Sequence, residues 1–166
     1  MKGDPISDPA HRLMRLAKGR HIDADAAGNL RIGGAAFVWS KAGDGDLGLS
    51  VNWLDYFEGA FDDKLTSVRA AMHMQPSAKD RFTLMRVGHL LQLLAQEASL
   101  TVSVLHDPTP AQPPRYPDTD LSHAAIAGLP DNSIDEDNAL RVADLIAKLA
   151  VHDHFPARGD DKKKPS

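Results

Sequence analysis

The chain contains no cysteine in 166 residues. That removes disulfides, thiolate metal sites and cysteine nucleophiles together, and it suits a reducing compartment. Any zinc would need His and carboxylate ligands. Positive charge is not in excess either: 19 Lys and Arg stand against 23 Asp and Glu, a formal charge of −4 that disfavours a nucleic-acid partner. The one basic run, Lys162-Lys163-Lys164, lies beside Asp160 and Asp161 and reads as a solvated tail. No apolar stretch approaches membrane-spanning length, and Met1-Lys2-Gly3-Asp4-Pro5 leads into charged sequence without the apolar centre of a signal peptide. The expectation is a cytoplasmic, bacterial-type protein with no membrane partner. No glycine-rich phosphate loop follows a strand, so Rossmann and Walker folds lose support and no cofactor is expected. No Gly-x-Ser-x-Gly elbow occurs.

Aromatic residues are scarce at 5%, yet Trp39, Trp53, Tyr56 and Phe57 fall close together. Phase assigns Trp53 and Phe57 to the core. Trp39 and Tyr56 are then free to face a partner, with Arg115 and Tyr116 of a nearby loop as further candidates for contact with another protein.

What is present is ordinary in amount: 42% hydrophobic and 25% charged residues in a chain of single-domain size. Asp8-Pro9 reads as a helix start, with Leu13, Met14 and Ala17 on one face and Gly19 as the stop. Short strands are expected over 20–22 and 29–32, with a turn at Ala27-Gly28-Asn29 and a break at Gly33-Gly34 before Ala36-Phe37-Val38-Trp39. Leu47, Leu49, Val51 and Trp53 alternate with Gly48, Ser50 and Asn52, the clearest half-buried strand in the chain. Phe61, Leu65, Val68 and Met72 recur at helical intervals. An extended segment over 81–87, a helix with the stripe Val87, Leu90, Leu91, Leu94 and Ala98, and a strand over 100–105 follow. Five prolines make 108–120 a surface loop, and 122–127 resumes as a strand. Ser133-Ile134-Asp135-Glu136 has the form of a capping box, opening a helix that buries Ala139, Val142, Ala143, Ile146 and Ala150. The order implies one α+β domain over 1–155, a mixed or antiparallel sheet with three to four helices, and a flexible tail over 156–166.

The candidate chemistry gathers where a strand ends in His106-Asp107-Pro108 and another begins at Ser122-His123. Two imidazoles and a carboxylate at a sheet edge could serve acid–base work or a divalent metal. No close His-x-x-x-His spacing supports a ligand set, so metal is not assigned. Ser50 with His106 or His123 and Asp107 has the ingredients of a nucleophile, a base and an orienting carboxylate. Arg20-His21 with Ser50 and Asn52 looks similar, coarsely, to ADP-ribosyltransferases, which place Arg or His on one strand and Ser on the next. Those enzymes also need a late catalytic Glu, and Glu136 reads as a cap. The enzymatic candidates are therefore His21, Ser50, His106, Asp107 and His123. They compete with a reading in which the chain is an accessory protein, of host-conflict or mobile-element type, that binds another macromolecule.

Arg20-His21-Ile22, Ala36-Phe37, the block from Leu49 to Phe57, Val104 to Pro108, Ser122 to Ile126 and Phe155-Pro156-Ala157 together resemble a group of small uncharacterised bacterial proteins. In that group an Ala-Phe then Leu-Ser-Val-Asn block comes early and a Pro-x-His-Ala-x-Ile block late. This chain has Leu121-Ser122 where the proline would precede the His. The resemblance implies shared ancestry over most of the folded chain and no particular activity.

Overall fold

The computed structural model describes residues 2–159, so Met1 and the lysine run of the tail lie outside the described residues. The fold is α+β. Six strands make one sheet in the order β6 (Ser103–His106), β7 (His123–Ala127), β4 (Leu49–Trp53), β1 (Arg12–Ala17), β5 (Arg81–Arg86), β8 (His154–Pro156), each antiparallel to its neighbours. β2 (Ile22–Ala24) and β3 (Leu30–Ile32) form a separate hairpin, turned by Gly28 at φ +82°.

β1 corrects the helix expected after Asp8-Pro9. A strand covered on both faces has no alternating polar positions, and its packed apolar residues can imitate helical spacing. Leu13 and Ala17 enter one core cluster and Met14 the other, all fully buried. The Asp8 carboxylate caps only a turn, accepting from the Ala10 amide. On the Met14 face, α1 (Phe61–Ala71) brings Leu65 and Val68, with Met72 just beyond, into a core with Phe82 and Ala157. On the Leu13 face, α2 (Val87–Ala98) and α3 (Glu136–Leu149) pack Leu90, Leu94, Val142 and Ile146 over Val51, Met85 and Ile126. Each such side chain, fully buried, contributes about 2 kcal/mol, so this double helical layer is the main anchor of the sheet.

Local chemistry accounts for the remaining departures. Arg20 and His21 sit in a 3-10 turn over Gly19–His21 rather than on a strand, which begins only at Ile22. Ser133 does not cap α3: its amide and hydroxyl both go to Asp131, and Asp135 caps the helix by accepting from the Asn138 amide at 3.2 Å. Asp is as good a cap as Ser, and the upstream Asp131 claims the serine first. The packed chain also runs past residue 155. Pro156 pairs with Arg81, and Ala157 is fully buried with its amide bonded to the Asp80 carbonyl. Proline is tolerated there because β8 is an edge strand.

The opposite edge is strapped by the segment before β1. The amides of Gly3 and Ile6 donate to the carbonyls of His106 and Val104, and the His106 amide donates to Asp4. Gly48, at φ +154°, lets β4 close on β7, since a Cβ there would collide with the Ile126 carbonyl.

A charged clamp joins α1 to β1. The Asp55 carboxylate accepts from Arg12 Nε at 3.0 Å, Arg12 Nη2 at 2.6 Å, the Arg12 amide at 2.7 Å and Lys64 Nζ at 2.8 Å. Burial alone would raise the Asp55 carboxyl, but these donors outweigh it and hold it well below the usual carboxylate range. A depressed acid adds stability that is present above the ordinary carboxylate pKa and is lost as pH falls through the folded value. Asp55→Asn should therefore cost about 3 kcal/mol at neutral pH in urea unfolding, and its gap to the parent should narrow below about pH 4.

Candidate functional site

The sheet face that carries α1 is covered in two different ways. α1 shields β1, β5 and β8, whereas β4 and β7 are overhung by the excursion over 107–122. Between the two coverings lies a cavity of about 260 Å³, reached by Met14, Leu16, Ser50, Asn52, Met72, His73, Thr109, Gln112, Asp120 and His123. Its origin is a ladder that stops early. β1 pairs β4 only at Leu13–Trp53 and Met14–Asn52. Beyond that point Arg15 enters, donating from Nη1 to the Ser50 carbonyl at 2.8 Å and from Nε to the Ala36 carbonyl at 2.9 Å. The Arg15 side chain, between Leu13 and Ala17, leaves β1 on the helical-core side, and burial lowers its pKa to about 10.

Alternation along β4 sends Leu49 and Val51 into the helical core and leaves Ser50 and Asn52 to the cavity, as the period of two anticipates. The Asn52 amide nitrogen donates to Asp120 Oδ2 at 3.1 Å and to Ser122 Oγ at 2.9 Å. Asp120 Oδ1 accepts from the Ser122 hydroxyl at 2.7 Å and the Ser122 amide at 3.0 Å, an Asx turn that closes the proline-rich excursion. Asp120 and Ser122 are both buried. Among the described residues no cation pairs with Asp120 and no carboxylate pairs with Arg15.

Two imidazoles border the same space. His123 stands opposite Asn52 in the β4–β7 register, and its Nδ1 donates to the Asp107 carbonyl. The Asp107 carboxylate lies 3.6 Å from that nitrogen and 3.1 Å from Lys2 Nζ. Committing Nδ1 as donor leaves Nε2 as the basic nitrogen. His73 donates from Nε2 to the Asp118 carbonyl at 2.6 Å, and its ring stacks on Tyr116 at 4.7 Å and 4°. Its Nδ1 is buried without a hydrogen-bond partner.

The five residues proposed for catalysis are thus divided. Ser50 and His123 share the cavity. They are diagonal neighbours across β4 and β7, which places their Cβ atoms about 7 Å apart. His106 pairs with Ala124, a residue of the helical core, and so faces the other side of the sheet from His123. There its Nε2 donates to the Leu121 carbonyl at 2.7 Å, and the ring packs against Trp53 and Tyr56. Asp107 touches His123 without itself lining the cavity, and His21 is held by Arg20 Nε in its own turn. Burial first, then the charges of Arg20 and Arg15, lower the His21 pKa. The chain's three glutamates, Glu58, Glu97 and Glu136, all lie off the strands, so the late strand glutamate of an ADP-ribosyltransferase has no counterpart. Among the described residues no three His, Asp or Glu side chains are grouped to hold a metal ion.

The aromatic candidates are dispersed. Trp39 packs on the helical core and donates to Asp46, Tyr56 sits edge-on to Trp53 and Phe57, and Arg115 lies over Tyr116, which stacks on His73. Arg15, His73 and Asp120 escaped the sequence reading. Only Asp120-x-Ser122 left a trace, as a turn pattern at the end of the proline loop. Comparison of the chain with known protein families, curated proteins and solved structures finds no match in any of the three.

Ser122→Ala removes the hydroxyl donor from a buried carboxylate. It should lower the unfolding free energy by about 1–2 kcal/mol, measured by urea titration at neutral pH.

Proposed function

We propose that the protein binds a small polar molecule in the cavity beside β4 and acts on it by general-base chemistry through His123. The observation that carries this reading is the fixed tautomer of His123: with Nδ1 committed to the Asp107 carbonyl, its free nitrogen belongs to a residue of a cavity that also holds Ser50, Asn52 and Asp120. Positioned imidazole bases work in this way, oriented by one nitrogen and reactive at the other. Amide and hydroxyl groups on a partly apolar floor of Met14, Leu16 and Met72 are the usual lining of a small-molecule site. A protein-docking role would draw on Trp39, Tyr56, Arg115 and Tyr116, and their dispersal is why the cavity reading is preferred.

Two NMR measurements test it. Long-range proton–nitrogen correlation should find the neutral form of His123 as the tautomer with its proton on Nδ1; the Nε2 tautomer would remove the base. Titration with a library of small polar fragments should move amide signals at Ser50, Asn52, Asp120 and His123 together. Fragments that move only Trp39, Tyr56 or Arg115, or none that move the cavity, would overturn the reading.

A further inference from the structure

The hairpin of β2 and β3 meets the margin of the six-stranded sheet at an imidazole. His154, on β8, accepts at Nδ1 from Arg81 Nε at 2.7 Å, and its Nε2 donates to the Leu30 carbonyl at 3.2 Å. Arg81 belongs to β5 and Leu30 to β3, so this ring joins three strands. Strand parity agrees with the contact. Arg81 and Thr83 flank Phe82 and take the opposite face from it, Thr83 pairs with His154, and Ile32 carries the hairpin into the helical core on that same side.

A guanidinium nitrogen can only donate, so Nδ1 bears no proton in this arrangement and the ring is neutral. An imidazolium carries N–H on both nitrogens. Protonation would set a new Nδ1–H against the Arg81 Nε–H across 2.7 Å and add a second positive charge beside the first. Ring and guanidinium must then part, and the ring is also what holds Leu30. Other charges around it do not cancel the conflict. His152 and Asp153 precede the ring on its own segment, and Asp25 and Arg31 border the same hollow from the hairpin. Asp153 favours the charged ring, but burial first and then Arg81 outweigh it, and the His154 pKa is lowered.

The hairpin tip has little else to hold it down. Residues 26–31 are exposed, and the turn is braced from within, Asp25 accepting from the amides of Ala27 and Asn29 and from the Asn29 side chain. The base is anchored instead: Ile32 is buried, and the Gly33 amide donates to the His21 carbonyl at 2.8 Å. A segment with few buried contacts opens at small cost, so one hydrogen-bonded junction is a large share of what keeps it closed.

We propose that the Arg81–His154–Leu30 junction is an acid-operated latch: a proton taken up by His154 breaks the junction and releases the hairpin tip over 24–31 from the sheet margin, while the base at Ile32 stays in place. Because the closed form disfavours the proton, the open population grows as pH falls below the ordinary imidazole value of about 6.5, by up to about ten-fold per pH unit, and levels off once the closed form itself protonates.

NMR titration of the full chain from about pH 7.5 to pH 5 tests the latch, with the ring nitrogens of His154 reporting its proton and nitrogen relaxation of the 24–31 amides reporting the tip. The tip should lose order with the midpoint of His154 while the Ile32 and α3 amides keep theirs. In His154→Gln, checked for folding by circular dichroism, an amide accepts and donates without titrating, and the acid-induced loosening should vanish. A ring that protonates while the tip keeps its order, or that stays neutral over the whole range, would overturn the proposal. So would loosening that persists in His154→Gln, which would move the titrating group to His21 or His152.

Discussion

The early end of the β1–β4 ladder is the constraint on which the site depends. Had pairing continued past Met14–Asn52, the Ser50 carbonyl would have gone to a strand amide and the two central strands would have closed. Arg15 takes that carbonyl instead, so the backbone acceptor is satisfied without the partner strand. A guanidinium is suited to this because it presents several donors in a fixed plane and cannot be neutralised at physiological pH. The sheet keeps its order, and a gap opens beside β4 where polar side chains can be held by rigid strands yet remain reachable.

The same sheet divides labour between its faces. The α2–α3 face is a continuous apolar core, whereas the α1 face is apolar only over β1, β5 and β8. The Asp55 clamp fixes α1 to β1 by charge at the point where the strand gives way to the turn after β4. Over β4 and β7 the covering is a proline-rich excursion returned to the sheet by the Asp120–Ser122 turn. Prolines limit the entropy such a covering loses on ordering, so a loop with few apolar contacts can still form a wall.

Most of this architecture was legible in the sequence, and the exceptions share a cause. The β4 alternation, the α1 and α2 stripes and the α3 face each report burial on one side only, which is what periodicity measures. β1 is buried on both sides and β8 is an edge strand containing proline, so neither carries a period of two. The site was half visible. Ser50, Asn52 and His123 lie on strands whose phase is readable, whereas His73 and Asp120 lie in connections whose direction only the fold determines. His106 and His123 flank one loop, yet strand parity sets them on opposite sides, and a single residue of register is enough to do so.

The strap over β6 covers one margin of the six-stranded sheet, and at the other the short strand β8 covers β5. Open strand margins are templates on which other chains polymerise. Clipping the residues around Gly3 to Ile6 would take only Ile6 from the helical core while baring such a template on β6. The damage would then show as concentration-dependent self-association rather than as unfolding.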